Sequence, residues 1–156
     1  IFDVLVGYTE GDRLTGFISK KEVKKVPFLS WWMYFMNCLF LDRSSAKAGL
    51  KTILDAIELE KSGISIFIFP EGTRSKDGSV TEFKAGSFKI AEKAGVPVVP
   101  IAIDNTEEIF ENHKPWLRRA NVTFQYCKPI IVNDLSKEEK KQLANMARDE
   151  ILEKLN

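Results

Sequence analysis

Hydrophobic and polar positions along this chain switch repeatedly between a helical and an extended period, and the switches mark out an order of elements. Phe2 to Val6 reads as the first turns of a helix and Leu14 to Ser19 as a strand. Lys20 to Val26 forms a short basic helix stopped near Pro27, followed by an apolar helix over Phe28 to Met36 and a strand over Cys38 to Leu41. An amphipathic helix comes next. Ser44 or Ser45 caps it, Leu50, Ile53, Leu54 and Ile57 make its apolar stripe, and Gly63 ends it. Ile64 to Phe69 is a continuous apolar run, the pattern of a strand covered on both faces as in a parallel sheet. Ala85 to Lys93 is helical, with Gly95 as its stop. Val96 to Ile103 is a further buried strand whose prolines suit an end or an edge. Val122 to Tyr126 is a later strand, and a capping box at Ser136 and Glu139 opens a last helix that runs to about Leu155. The alternation implies α/β layers.

Composition adds little to this picture and removes some alternatives. The 156 residues, 44% hydrophobic and 29% charged, suit one globular domain with a real core. A net charge of +1 gives no reason to expect nucleic acid as a partner. Cys38 and Cys127 sit in apolar surroundings and are expected as two buried free thiols. The longest uncharged run, Pro27 to Leu41, falls short of the ~20 apolar residues of a spanning helix.

Three places carry candidate chemistry. The sharpest is Phe69-Pro70-Glu71-Gly72-Thr73-Arg74-Ser75, where a buried strand stops and polar residues follow at its carboxyl end. Open α/β sheets bind ligands at that end of their strands. Gly72 allows close backbone approach, Arg74 offers a fork of donors suited to phosphate, Thr73 and Ser75 add hydroxyls, and Glu71 is placed to orient arginines. The competing reading is a turn with a surface Glu–Arg pair. The second place is Leu39 to Arg43, where Arg43 can address the same strand-end crevice; here the alternative is a local Asp42–Arg43 pair. The third is Lys20 to Lys25, directly before Trp31, Trp32, Tyr34 and Phe35, which is either a membrane-surface element or core aromatics beside a solvated face. His113, the single histidine, has no acid at a spacing that suggests a dyad and reads as a surface residue.

In order and spacing these elements resemble the lysophospholipid acyltransferase family, in particular bacterial 1-acylglycerol-3-phosphate acyltransferases. Phe69 to Ser75 matches the family's Phe-Pro-Glu-Gly-Thr-Arg-Ser block outright. Lys20, Glu22 and Pro27 followed by Leu39 to Arg43 look like another block, although the family usually has glycine where this chain has Ser30 and Asn37. Val96 to Ile101 looks like the last block, and Phe83-Lys84-Ala85-Gly86 fits the stretch before it. The first family block is a His, four residues, then an Asp, and Asp3-Val4-Leu5 looks like its end.

The resemblance implies a mixed, largely parallel central sheet flanked by helices. It implies acyl transfer from an acyl-CoA or acyl carrier protein thioester to the hydroxyl of lysophosphatidic acid, giving phosphatidic acid at the cytoplasmic face of the cell membrane. The catalytic His then falls five positions before Asp3, so the 156 residues are expected to be one acyltransferase domain cut just after it, inactive alone. Asp3 and Glu71 become the candidate catalytic residues. Lys20, Arg43, Gly72, Thr73, Arg74 and Ser75 become the candidates for binding acceptor phosphate, with no metal or other cofactor required. Glycerol 3-phosphate or another lysolipid as acceptor remains open, as does a non-catalytic lipid-binding domain.

Overall fold

β1 (Thr15–Lys20) is the centre about which the first two thirds of the chain is organised. The computed structural model describes residues 2–11, 14–42, 46–73 and 79–155. β1 pairs in parallel with β2 (Leu39–Leu41), in the register Ile18 to Leu39, and with β3 (Ser65–Phe67), in the register Thr15 to Ser65. The sheet order is therefore β2-β1-β3. Parallel neighbours require crossovers. A 3-10 helix at Lys21–Lys25 and α2 (Leu29–Phe35) carry the chain from β1 to β2, and α3 (Ala46–Lys61) carries it on to β3. α1 (Asp3–Thr9) precedes β1, and α4 (Lys89–Ala94) follows a 3-10 turn at Ala85–Phe88. β4 (Ile101–Asp104) and β5 (Thr123–Tyr126) form a separate antiparallel ladder, and α5 (Lys137–Leu155) ends the fold.

Two expected strands are shorter than their apolar runs. Within Ile64 to Phe69 only Ser65–Phe67 pairs, and these residues are half-buried, because β3 is the edge of its sheet. Within Val96 to Ile103 the ladder starts at Ile101. Pro97 and Pro100 have no N–H to donate, so upstream pairing is reduced to one bridge, Val98 with Ile130, at 2.8 and 3.0 Å.

α3 is also rotated from its expected stripe. Leu50 and Leu54 are exposed, while Thr52, Ala56 and Ile57 face inward. Small residues on that face let the helix lie close to β2: a Cβ on Gly49 would sit 3.6 Å from the Asp42 carbonyl oxygen, and Thr52 donates its hydroxyl to the Phe40 carbonyl at 3.4 Å. Ala56 and Ile57 pack with Ile90 of α4, backed by Ile18, Leu39 and Ile66 of the sheet. A second cluster joins Phe88, Ile130 and Val132 to Leu143, Ala144 and Ala147 of α5. The capping box of α5 forms as expected, with the Ser136 N–H donating to Glu139 Oε2 at 2.8 Å and the Glu139 N–H to Ser136 Oγ at 3.3 Å. Gly95 ends α4 in the left-handed conformation, at φ 72°.

Asn37, which stands where the family usually has glycine, adopts φ 55°. Asparagine tolerates this left-handed conformation better than other side chains. Its carbonyl oxygen lies over Gly16, where an added Cβ would approach it to 2.3 Å. Cys38 and Cys127 are both buried and free. The Tyr8 hydroxyl lies 3.0 Å from the Cys38 thiol, and burial together with this contact holds the phenol well above its usual pKa.

Candidate active site

Parallel register puts the carboxyl ends of β1, β2 and β3 on one side of the sheet. Lys20 ends β1 level with Leu41 of β2, and Pro70 to Thr73 leave the β3 run on that same side. Lys20 is exposed there, and its neighbour Lys21 makes a 2.8 Å ion pair with Asp42 across the strand ends. Asp42 thus has a partner just beyond the end of β1. Arg43, Arg74 and Ser75 lie outside the described residues.

The Glu71 turn is held from several directions. The Gly72 N–H donates to the Phe69 carbonyl at 3.2 Å, and Gly72 takes φ 72°, the left-handed region that glycine enters at no steric cost. Glu71 Oε2 accepts the Thr81 hydroxyl at 2.6 Å and the Thr81 N–H at 3.3 Å. The Lys84 N–H donates to the Pro70 carbonyl at 3.0 Å. Arg148 of α5 reaches across to donate to the Thr81 carbonyl at 3.1 Å and the Val80 carbonyl at 3.0 Å. Glu71 therefore joins the outgoing and returning limbs of its loop, while Thr73 between them is exposed. Neither Thr81 nor Arg148 stands out in the sequence, since these bonds span 10, 67 and 68 residues and follow no period.

Asp3 sits in the first turn of α1. A Cβ on Gly7 would lie 3.2 Å from the Phe17 ring and 3.3 Å from the Phe67 ring, so the bare glycine lets α1 rest directly on β1 and β3. Asp3 is four residues before Gly7, on the same helix face and about 6 Å away along the helix axis. Its carboxylate accepts the hydroxyl of Thr106, a buried residue just beyond β4. Phe2 meets Phe110 with ring centroids 6.4 Å apart, and the Tyr126 hydroxyl donates to the Glu10 carbonyl at 2.9 Å. Both ends of α1 are thus tied to the β4–β5 side of the molecule.

Between the β3 edge and the β4–β5 ladder lies a cavity of about 920 Å³. Gly7, Phe69, Glu71, Val98, Ile103 and Ile151 are among the residues that line it. It continues past β3 to Glu60, whose Oε1 accepts the Ile66 N–H at 2.9 Å and whose carboxyl burial pushes above the ordinary range.

His113 differs from its expected setting. Its Nε2 lies 2.8 Å from Glu108 Oε2, because successive 3-10 turns at Thr106–Ile109 and Glu111–His113 fold the five-residue separation back on itself. Bonds from Asn112 and then from His113 hold the Glu108 carboxyl below its usual pKa.

A family model described as Acyltransferase matches residues 2–104. This chain belongs to the acyltransferase family. It is 32% identical over 140 residues to the 1-acyl-sn-glycerol-3-phosphate acyltransferase of Saccharomyces cerevisiae, a match covering 88% of this chain and 46% of that protein. It is 33% identical over 138 residues to the Borreliella burgdorferi protein of the same description, covering 88% and 55%. Among solved structures it is similar to the crystal structure of the 1-acyl-sn-glycerophosphate (LPA) acyltransferase PlsC from Thermotoga maritima. That match has a TM-score of 0.72 at 31% identity and covers 91% of this chain and 57% of that one. The chain spans about half the length of the curated relatives it matches. For this acyltransferase chain the α/β class expected from sequence holds: a parallel sheet flanked by helices, with an antiparallel pair added.

Proposed function

We propose that the chain carries the acceptor site and the carboxylate support of a 1-acylglycerol-3-phosphate acyltransferase. The reaction moves an acyl group from a thioester of coenzyme A or acyl carrier protein to the free hydroxyl of lysophosphatidic acid. The reading is supported by Lys20 and the Pro70–Thr73 turn lying at the same end of a parallel sheet, and by Gly7 of α1, Pro70 and Glu71 lining one mostly apolar cavity. Basic residues beside a glycine turn suit a phosphate. A mostly apolar space of this size, within the roughly 300–1,000 Å³ range of ligand sites, suits an acyl chain.

In this mechanism a histidine five positions before Asp3 takes the acceptor hydroxyl proton. Asp3 holds the other ring nitrogen and stabilises the imidazolium. The oxygen attacks the thioester carbonyl, the C–S bond breaks, and the thiolate leaves with the proton. Lys20, Arg43 and Arg74 hold the acceptor phosphate, Gly72, Thr73 and Ser75 line its turn, and Glu71 fixes the loop that carries them. Thiol release by the full-length protein tests this reading. Release is expected with lysophosphatidic acid, and not with glycerol 3-phosphate, from acyl-CoA or acyl carrier protein. Preference for glycerol 3-phosphate would move the chain to the neighbouring activity. Lipid binding with no thiol release from either donor would make it a binding domain.

The crossover from β1 to β2 carries a surface suited to anionic membrane. No helix among the described residues is long and apolar enough to cross a membrane. Phe28, Trp31, Tyr34 and Phe35 are 73–85% exposed, which removes the reading of these rings as core; Trp32, packed on Tyr8, is less open. Lys24 and Lys25 stand exposed directly before them. Aromatic rings beside lysines form an interfacial surface, each lysine adding ~1 kcal/mol near anionic lipid. The protein is expected to sediment with anionic vesicles, less so in high salt, with tryptophan emission shifted to the blue. Equal binding to neutral vesicles would remove the role given to the lysines.

A further inference from the structure

We propose that Thr106 is a positioning residue of the acyl-transfer site, its hydroxyl fixing the Asp3 carboxylate that aims the catalytic imidazole. The proposal rests on the role given to Asp3 above. Thr106 is only 8% exposed, and a hydroxyl so enclosed needs a partner. Its Oγ1 donates to Asp3 Oδ1, across 103 residues of sequence.

The backbone delivers this hydroxyl by a defined turn. β4 ends at Asp104, Asn105 adopts φ 65°, and the Asn105 side-chain NH₂ donates to the Asn121 carbonyl at 2.7 Å. That turn places Thr106 at the start of a 3-10 helix under α1. The Phe2–Phe110 contact holds the first turn of α1 against this helix. A donor on one oxygen restricts the rotation of a carboxylate, and with it the direction in which the group meets an imidazole. His–Asp pairs depend on that direction, because the carboxylate selects the ring tautomer as well as stabilising the cation. The segment that supplies the hydroxyl lies just beyond the matched family region, which ends at residue 104.

The test compares steady-state kinetics and thermal melting of the full-length protein with its Thr106→Val, Thr106→Ala, Thr106→Ser and Asp3→Asn variants. Valine keeps the shape and removes the donor. Alanine removes both and provides a smaller side chain should valine prevent folding. Serine keeps the donor. Valine and alanine are expected to lower kcat roughly ten- to a hundredfold, the range for loss of a hydrogen bond to a charged group. The KM for lysophosphatidic acid should stay within about twofold, since no acceptor contact is removed. Serine should restore most of kcat. Wild-type kcat in valine and alanine with Asp3→Asn inactive overturns the role of Thr106. So does a loss that tracks the melting temperature and that serine does not repair. Retained activity in Asp3→Asn instead overturns the reading of Asp3 on which the proposal depends.

Discussion

Replacing Asp3 with asparagine in the full-length protein is expected to lower kcat for acyl transfer by about 10³–10⁴-fold, with binding of lysophosphatidic acid little changed. Asparagine is nearly the same size, so α1 should still rest on Phe17 and Phe67 through Gly7. What changes is the chemistry at the end of the helix. A carboxylate accepts the N–H of the neutral imidazole and stabilises the ring once it has taken a proton. An amide can present its NH₂ instead and hold the wrong tautomer, a loss of about 10⁴-fold in a serine-protease triad. Thiol release under saturating donor and acceptor measures the effect, and circular dichroism checks the fold. Activity within tenfold of the unmodified protein would shift attention to His113. That ring already has a carboxylate at 2.8 Å from Glu108, and His113→Ala would then be the decisive variant. On the present assignment His113→Ala leaves kcat unchanged.

The parts of the fold governed by local chemistry are the parts legible in the sequence. Ser136 and Glu139 satisfy each other's backbone within one helical turn, and Gly95 stops α4 because glycine accepts a left-handed φ. The Phe69–Thr73 stretch announces a strand end because Pro70 has no N–H for a ladder and Gly72 accepts the left-handed φ of a turn. The inward face of α3 was not legible from large apolar residues. Close packing against β2 selects Gly49, Thr52 and Ala56, and it leaves Leu50 and Leu54 outside. Long apolar runs likewise overstated the strands, since hydrophobicity does not reveal where proline interrupts a ladder or which strand forms an edge.

The site divides along the same line. Asp3 and Glu71 stand in recognisable motifs, but the groups that hold them, Thr106 for one and Thr81 with Arg148 for the other, come from beyond each motif. Polar contacts made by single residues across long separations leave no periodic trace. The Glu108–His113 contact leaves no trace in the sequence for a related reason: a separation of five is not a helical neighbour spacing, and two short 3-10 turns close it.

Arg74 offers the second large effect on the proposed phosphate assignment, next to a turn held on both sides of the segment that carries it. Glu71 ties the outgoing limb to Thr81, Arg148 ties the returning limb to α5, and Gly72 turns the backbone between them. On the proposed assignment a guanidinium next to this turn meets the acceptor phosphate through charge-assisted hydrogen bonds. In the full-length protein Arg74→Ala is expected to raise the KM for lysophosphatidic acid and lower kcat/KM roughly ten- to a hundredfold, from loss of a charge-assisted bond worth about 1.5–3 kcal/mol. Arg74→Lys should recover only part, because an ammonium keeps the charge but not the planar fork. Monoacylglycerol provides the internal control. It has no phosphate, so its slow acylation should be the same with arginine, lysine or alanine at this position. A drop of equal size for both acceptors would mean that the substitution disturbs the loop, and unchanged lysophosphatidate kinetics in both variants would take the phosphate contact away from Arg74.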